Sequence, residues 1–173
     1  MYKVKVVNDR KFRGDVRFEL KKALQEFKRQ FGVDFEISEI SEWKSIGPSL
    51  SSLFDLLPFP IRPKAFNMLF NLLMWDLQRK VKANGEIVVG FTGKISSQCK
   101  PTFGMADGNY VLVGDCQIPY SYVILHEIGH VFGADDRPDF SVMRERGFSY
   151  TYDFSVQDRE IIIRSLTRSS KES

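Results

Sequence analysis

Histidine and cysteine are scarce in this sequence, with two of each among 173 residues, and the scarcity narrows the kinds of site the chain can build. Cys99 and Cys116 show no paired C-x-x-C spacing, so they do not read as zinc ligands. They flank a hairpin pattern that would bring them close enough for a disulfide in an oxidising or hyperthermophilic setting, and they are free thiols otherwise. Long apolar runs are missing as well. The most lipid-like stretch, Ala65 to Trp75, contains Asn67 and Asn71 and is shorter than the ~20 residues a membrane span needs. The opening MYKVKVVNDRK lacks the apolar segment and small-residue cleavage site of a secretory signal, which makes a cytoplasmic location the expectation. Strong charge is also lacking. A formal net charge of +3 and a pI near 8.8 are too slight to indicate nucleic-acid binding without a concentrated patch. The nearest thing to one, Arg10, Lys11, Arg13, Arg17, Lys21, Lys22, Lys28 and Arg29, is interrupted by Asp9, Asp15, Glu19 and Glu26, as on a solvated helix face.

What is present suffices for one well-buried core: 43% of the residues are hydrophobic, and two full domains would be cramped, so residues 1–173 read as a single domain. Tyr2 to Val7 alternates as a strand. Val16, Leu20, Leu24, Phe27 and Phe31 recur at helical spacing between a capping Asp15 and a closing Gly32. Val33, Phe35 and Ile37 then alternate again, giving strand, helix, strand and favouring a parallel pair. Four prolines, Pro48, Pro58, Pro60 and Pro63, break up an apolar segment from Gly47 to Pro63 that either borders a cleft or packs into the core. Lys64 to Lys82 reads as a helix packed on the sheet and Glu86 to Thr92 as a buried strand. Phe103 to Ala106 and Tyr110 to Val113 form a hairpin around Asp107-Gly108-Asn109. Ser121 to Phe132 and Ser155 to Leu166 read as two further helices, the second capped by Ser155.

Chemistry concentrates in HEIGHVFGADD, His126 to Asp136. Residues four apart share a helix face, so His126 and His130 can turn both imidazoles to one metal ion with Glu127 beside them. A catalytic zinc needs three protein ligands and an open position. Gly133 allows the helix to end and the chain to turn, bringing Asp135 or Asp136 back towards the metal. Two other readings use the same residues. The histidines could be ordinary polar positions on an amphipathic helix, but both histidines of the chain fall here at ligand spacing. A two-His, one-carboxylate iron site would share the ligand types, yet it has no need of an acid or base beside a ligand, whereas metal-assisted peptide hydrolysis does.

His126, Glu127, His130, Gly133 and position 136 reproduce the spacing HExxHxxGxxH, and Ser141-Val142-Met143 follows. In this the sequence resembles the metzincin zinc peptidases, with Ser141-Val142-Met143 similar to their Met-turn. The departure is Asp136 where histidine is usual, which resembles the snapalysin-like branch of small zinc endopeptidases. The resemblance implies an α+β, zincin-like single domain: a twisted mixed sheet backed by helices, a metal-binding active-site helix, a Met-turn and a C-terminal helix. It implies one catalytic Zn²⁺ held by His126, His130 and Asp136, with Glu127 as general base and a peptide or protein as substrate. Gly104, Met105 and Ala106 stand where metzincins place the edge strand that pairs with substrate, although an ordinary edge strand would read the same. Some metzincins have a tyrosine two residues after the Met-turn methionine. Here that position is Glu145, with Tyr150 and Tyr152 nearby, so no tyrosine donor is assigned. The alternatives are a noncatalytic, zinc-ordered binding protein and a peptidase with one dedicated substrate.

Overall fold

The computed structural model describes residues 1–9, 12, 14–47, 62–93, 104–115, 118–144 and 151–169. Most of the proline-punctuated segment, together with Phe103, Cys99, Cys116, Glu145 and Tyr150, therefore lies outside the described residues. The elements in chain order are β1 (Tyr2–Asn8), α1 (Val16–Phe31), β2 (Phe35–Glu42), α2 (Arg62–Lys80), β3 (Ile87–Thr92), β4 (Gly104–Asp107), β5 (Tyr110–Gly114), α3 (Tyr120–Val131) and α4 (Val156–Ser169). The five strands form one sheet in the order β2-β1-β3-β5-β4. All neighbours are parallel except β4, which runs antiparallel to β5 at the sheet's end. This is the mixed sheet with helices expected from the sequence.

Period-two alternation divides the core between the two faces of the sheet. Val4, Val6, Val89, Phe91, Val111 and Val113 join the cluster formed with α1, α3 and α4. The intervening Val7, Val88 and Leu112 join Leu69, Phe70, Leu73 and Leu77 of α2. β3 is buried along its whole length, as a central parallel strand must be when both faces are covered.

Local signals place the boundaries. The Asp15 carboxylate accepts a hydrogen bond from Phe18 N at 3.0 Å, satisfying one of the free donors at the start of α1. Gly32, at φ 69°, ends that helix with its N–H donating to Lys28 O. β2 begins and ends later than the alternation from Val33 to Ser38 suggests. Its register against β1 shifts between Val4 and Lys5, where Ser38 is the extra residue and its hydroxyl donates to Val4 O at 3.4 Å. The bulge disrupts the alternation beyond it, and Ile40 is left partly exposed. α2 starts at Arg62, so Pro63 falls in its first turn, where a missing N–H costs little. The Ser155 hydroxyl accepts from Asp158 N at 3.2 Å and caps α4 as expected. Among the described residues no helix is long and apolar enough to cross a membrane.

Candidate metal centre

The helix α3 carrying the HExxH residues is buried through most of its length, including Tyr122, Val123, Ile124, Leu125, Ile128 and Gly129. Its N-terminus has no side-chain cap of its own at Pro119. Instead Glu19 of α1 accepts from Ser121 N at 2.9 Å, placing a carboxylate at the positive end of the helix. In the sequence Glu19 stands only as an interruption in a basic stretch. The basic stretch itself is largely paired or solvated where described: Arg29 reaches Asp153 at 2.6 Å, Lys28 pairs with Asp34, and Arg17 and Lys21 are exposed.

At its other end α3 closes in a Schellman arrangement. Gly133 N donates to His130 O at 2.9 Å and Ala134 N to Gly129 O at 3.0 Å, which requires the positive φ of 89° at Gly133. This turn does two things. It brings the Ala134 carbonyl against His130 Nδ1 at 2.8 Å, and it directs Asp136 back over the helix. The turn after it positions the other histidine. Val142 O accepts from His126 Nδ1 at 2.8 Å, and Val142 N donates to Asp153 O at 2.8 Å. Met143 is fully buried beneath α3. A Cβ on Gly129 would lie 2.5 Å from Met143 Sδ, so the absence of a side chain at Gly129 admits the methionine.

A carbonyl only accepts, so each Nδ1 must carry the proton of its ring and, in the neutral imidazole, each Nε2 presents a bare lone pair. Both lone pairs meet the Asp136 carboxylate. His126 Nε2 lies 3.2 Å and His130 Nε2 3.4 Å from Asp136 Oδ1, and the two Nε2 atoms are 3.2 Å apart. Among the described residues, three acceptors converge with no donor between them unless a ring is protonated. The size of the triangle is informative, because ligands ~2.0–2.1 Å from a tetrahedral zinc sit about 3.3 Å from one another. His126, His130 and Asp136 are thus able to hold a metal ion. Asp136 rather than Asp135 or Asp139 makes the approach; Asp139 accepts from Ser141 N at 2.9 Å and shapes the turn leading to Met143.

The charges respond to this crowding. Burial works against a charge on His126, but the Asp136 hydrogen bond, the Glu127 charge and the Val142 carbonyl outweigh it and raise its pKa. Asp136 is lowered, chiefly by its hydrogen bond to His126. Burial pushes Glu127 up to about 7, with His126 opposing and Asp136 reinforcing the shift. Glu127 is 5% exposed and lies under β4: a Cβ on Gly104 would come within 2.5 Å of Glu127 Oε1.

Gly104, Met105 and Ala106 pair with Val113, Leu112 and Val111 of β5, so among the described strands theirs is the last of the sheet and lies over α3. Tyr152 is engaged elsewhere. Its hydroxyl is 3.1 Å from Ser121 Oγ, on the first turn of α3, and is not part of the metal cluster. Sequence reasoning missed the two backbone carbonyls that orient the histidines, the Glu19 cap and the cover that Gly104 provides for Glu127. A glycine in a short strand was the only hint of the last.

No family model matches the chain, and no curated protein matches it. Among solved structures it is similar to archaemetzincin from Methanopyrus kandleri, with 20% sequence identity, 96% of each chain covered and a TM-score of 0.61. It is also similar to a zinc-dependent peptidase from Methanocorpusculum labreanum, with 12% identity, 92% of this chain and 99% of that one covered, and a TM-score of 0.47, a likeness too low to build on. The likeness to archaemetzincin extends over nearly the whole chain, and the architecture is a zincin-like mixed sheet with helices.

Proposed function

We propose that the protein is a zinc-dependent metalloendopeptidase of metzincin type, with Asp136 in the place usually held by a third histidine. The observation that carries this reading is the convergence of His126 Nε2, His130 Nε2 and Asp136 Oδ1 at 3.2 to 3.4 Å, beside a buried Glu127. The name of the structural neighbour archaemetzincin agrees with it.

Zinc held by His126, His130 and Asp136 would supply Lewis acidity to a bound water and to the scissile carbonyl. The chain's own residues do the rest. His126 and His130 are held in the ligating tautomer by Val142 O and Ala134 O, the outer hydrogen bonds that fix ring orientation in such sites. Glu127, buried beside the ligating histidines, would take the water's proton on a carboxylate oxygen and return it to the leaving amine. β4 offers backbone N–H and C=O groups on its outer edge to an extended peptide, a sequence-tolerant mode of binding.

Glu127→Gln tests the reading, because the amide keeps the shape but accepts no proton. Zinc binding is expected to persist while cleavage of a diverse peptide library is abolished; turnover near wild type in the variant would refute the mechanism. If the wild type binds zinc and cleaves nothing in the library, the noncatalytic or single-substrate alternative takes its place.

A further inference from the structure

We infer that Arg137 and Asp158 are positioning residues that hold Asp136 over the two histidines; the inference rests on the metal centre proposed above. Arg137 follows Asp136 directly and is tied at two points. Its backbone N–H donates to Met143 O at 2.8 Å, and its guanidinium Nε donates to Asp158 Oδ1 at 2.6 Å. Asp158 lies on the first turn of α4 with no exposed surface. Its second oxygen accepts from Ser155 Oγ at 2.6 Å, so the carboxylate is held from both sides. A buried charge of this kind requires its partner, and a planar guanidinium fixes direction as well as distance.

The span from Ala134 to Arg137 is therefore pinned at both ends. Ala134 is bound to Gly129 through its N–H and to His130 through its carbonyl. Arg137 is bound to the Met143 turn and to α4. Between the anchors stand only Asp135 and Asp136, so the position of Asp136 is set by where Arg137 is fastened. The same fastening reaches the other histidine. Arg137 N holds Met143 O, and the neighbouring Val142 O holds His126. One ion pair to α4 thus steadies the third ligand and the turn that orients the first.

Three variants test this by zinc affinity, measured in competition with a chelator, and by the visible spectrum of the cobalt-substituted protein. Removing both charges in the double variant Arg137→Met with Asp158→Leu avoids stranding a buried ion. It is expected to weaken zinc binding about 10- to 100-fold, the usual effect of losing an outer partner of a ligand, and to change the cobalt spectrum. Arg137→Lys keeps the charge and the Met143 tie but loses the fixed guanidinium donor. It is expected to weaken zinc several-fold with the metal-free protein melting as wild type does, and it decides the matter if the double variant fails to fold. Wild-type zinc affinity and cobalt spectrum in a folded Arg137→Lys or double variant would overturn the inference. Asp136→Ala is the control. If it leaves zinc affinity unchanged, the metal-centre assignment itself has failed; if it loses zinc while the other variants do not, only the positioning role has.

Discussion

Gly104→Ala is a small change in a place where the structure has no room for it. The added Cβ would lie 2.5 Å from Glu127 Oε1, 2.7 Å from Glu127 Cγ and 2.8 Å from Val123 Cγ1. Comfortable carbon contacts begin at ~3.5 Å, so roughly 1 Å must be recovered by movement. Two responses are open. β4 can lift from α3, with the cost of overpacking, about 1–3 kcal/mol. For a chain of this size that lowers the melting temperature by ~2–12 °C. Alternatively Glu127, as the end of a flexible side chain, rotates away. A displacement of ~1 Å in a catalytic group is enough to lower turnover on the order of 10²-fold. Val123 is fixed within a buried helix and has less freedom than the glutamate, so the carboxylate is expected to take up part of the movement. The variant should bind zinc as the wild type does and cleave peptide about 10²-fold more slowly in kcat, with a modest loss of melting temperature. The assay is steady-state cleavage of a fluorogenic peptide chosen from sequences the wild type cuts, alongside zinc stoichiometry and thermal melts. Unchanged kcat and melting temperature would show that the close approach is not real. A lowered melting temperature with unchanged kcat would show that β4 yields and that Gly104 does not set the position of the base.

Three further outcomes are expected. Gly133→Ala has space, its nearest neighbour being Ile161 Cγ2 at 3.6 Å, but holds φ at 89°; chemical denaturation should show a loss of roughly 1–2 kcal/mol, accompanied by weaker zinc binding. Gly133→Asn should be milder on both measures, since asparagine tolerates this region, and equal effects would argue against a conformational cause. Gly129→Ala would place a Cβ 2.5 Å from Met143 Sδ and 2.7 Å from Phe154 Cε1. Denaturation should register a loss of ~1–3 kcal/mol, and wild-type stability would mean that Met143 is not tightly seated under α3. Asp136→Ala should lose most zinc affinity and Asp135→Ala keep it, as read by metal analysis after dialysis; the reverse pattern would move the third ligand to Asp135.

Elements whose ends are written in local chemistry were legible in the sequence. Asp15 and Gly32 bracket α1 as their types demand, and the two histidines of HExxH share a helix face because four residues make about one turn. Where tertiary partners intervene, legibility fails. The bulge at Ser38 depends on how β2 meets β1, so the alternation before it could not announce that the strand runs on to Glu42. Every residue has a carbonyl, and nothing in the letters singles out those of Val142 and Ala134 as the ones that face the histidines. Glu19 is 102 positions from Ser121, and Asp158 is 21 from Arg137. Such pairs come together only when α1 and α4 have docked. Gly104 reads as a weak strand residue until β4 is seen lying over Glu127.

The proposed zinc site requires three side-chain atoms meeting at one point, and anomalous diffraction from crystals grown with zinc tests that directly. The site predicts a single strong peak per chain at ~2.0–2.2 Å from His126 Nε2, His130 Nε2 and a carboxylate oxygen of Asp136. A peak coordinated by Asp135 instead of Asp136, a zinc bound away from the two histidines, or no ordered zinc at that point would contradict it.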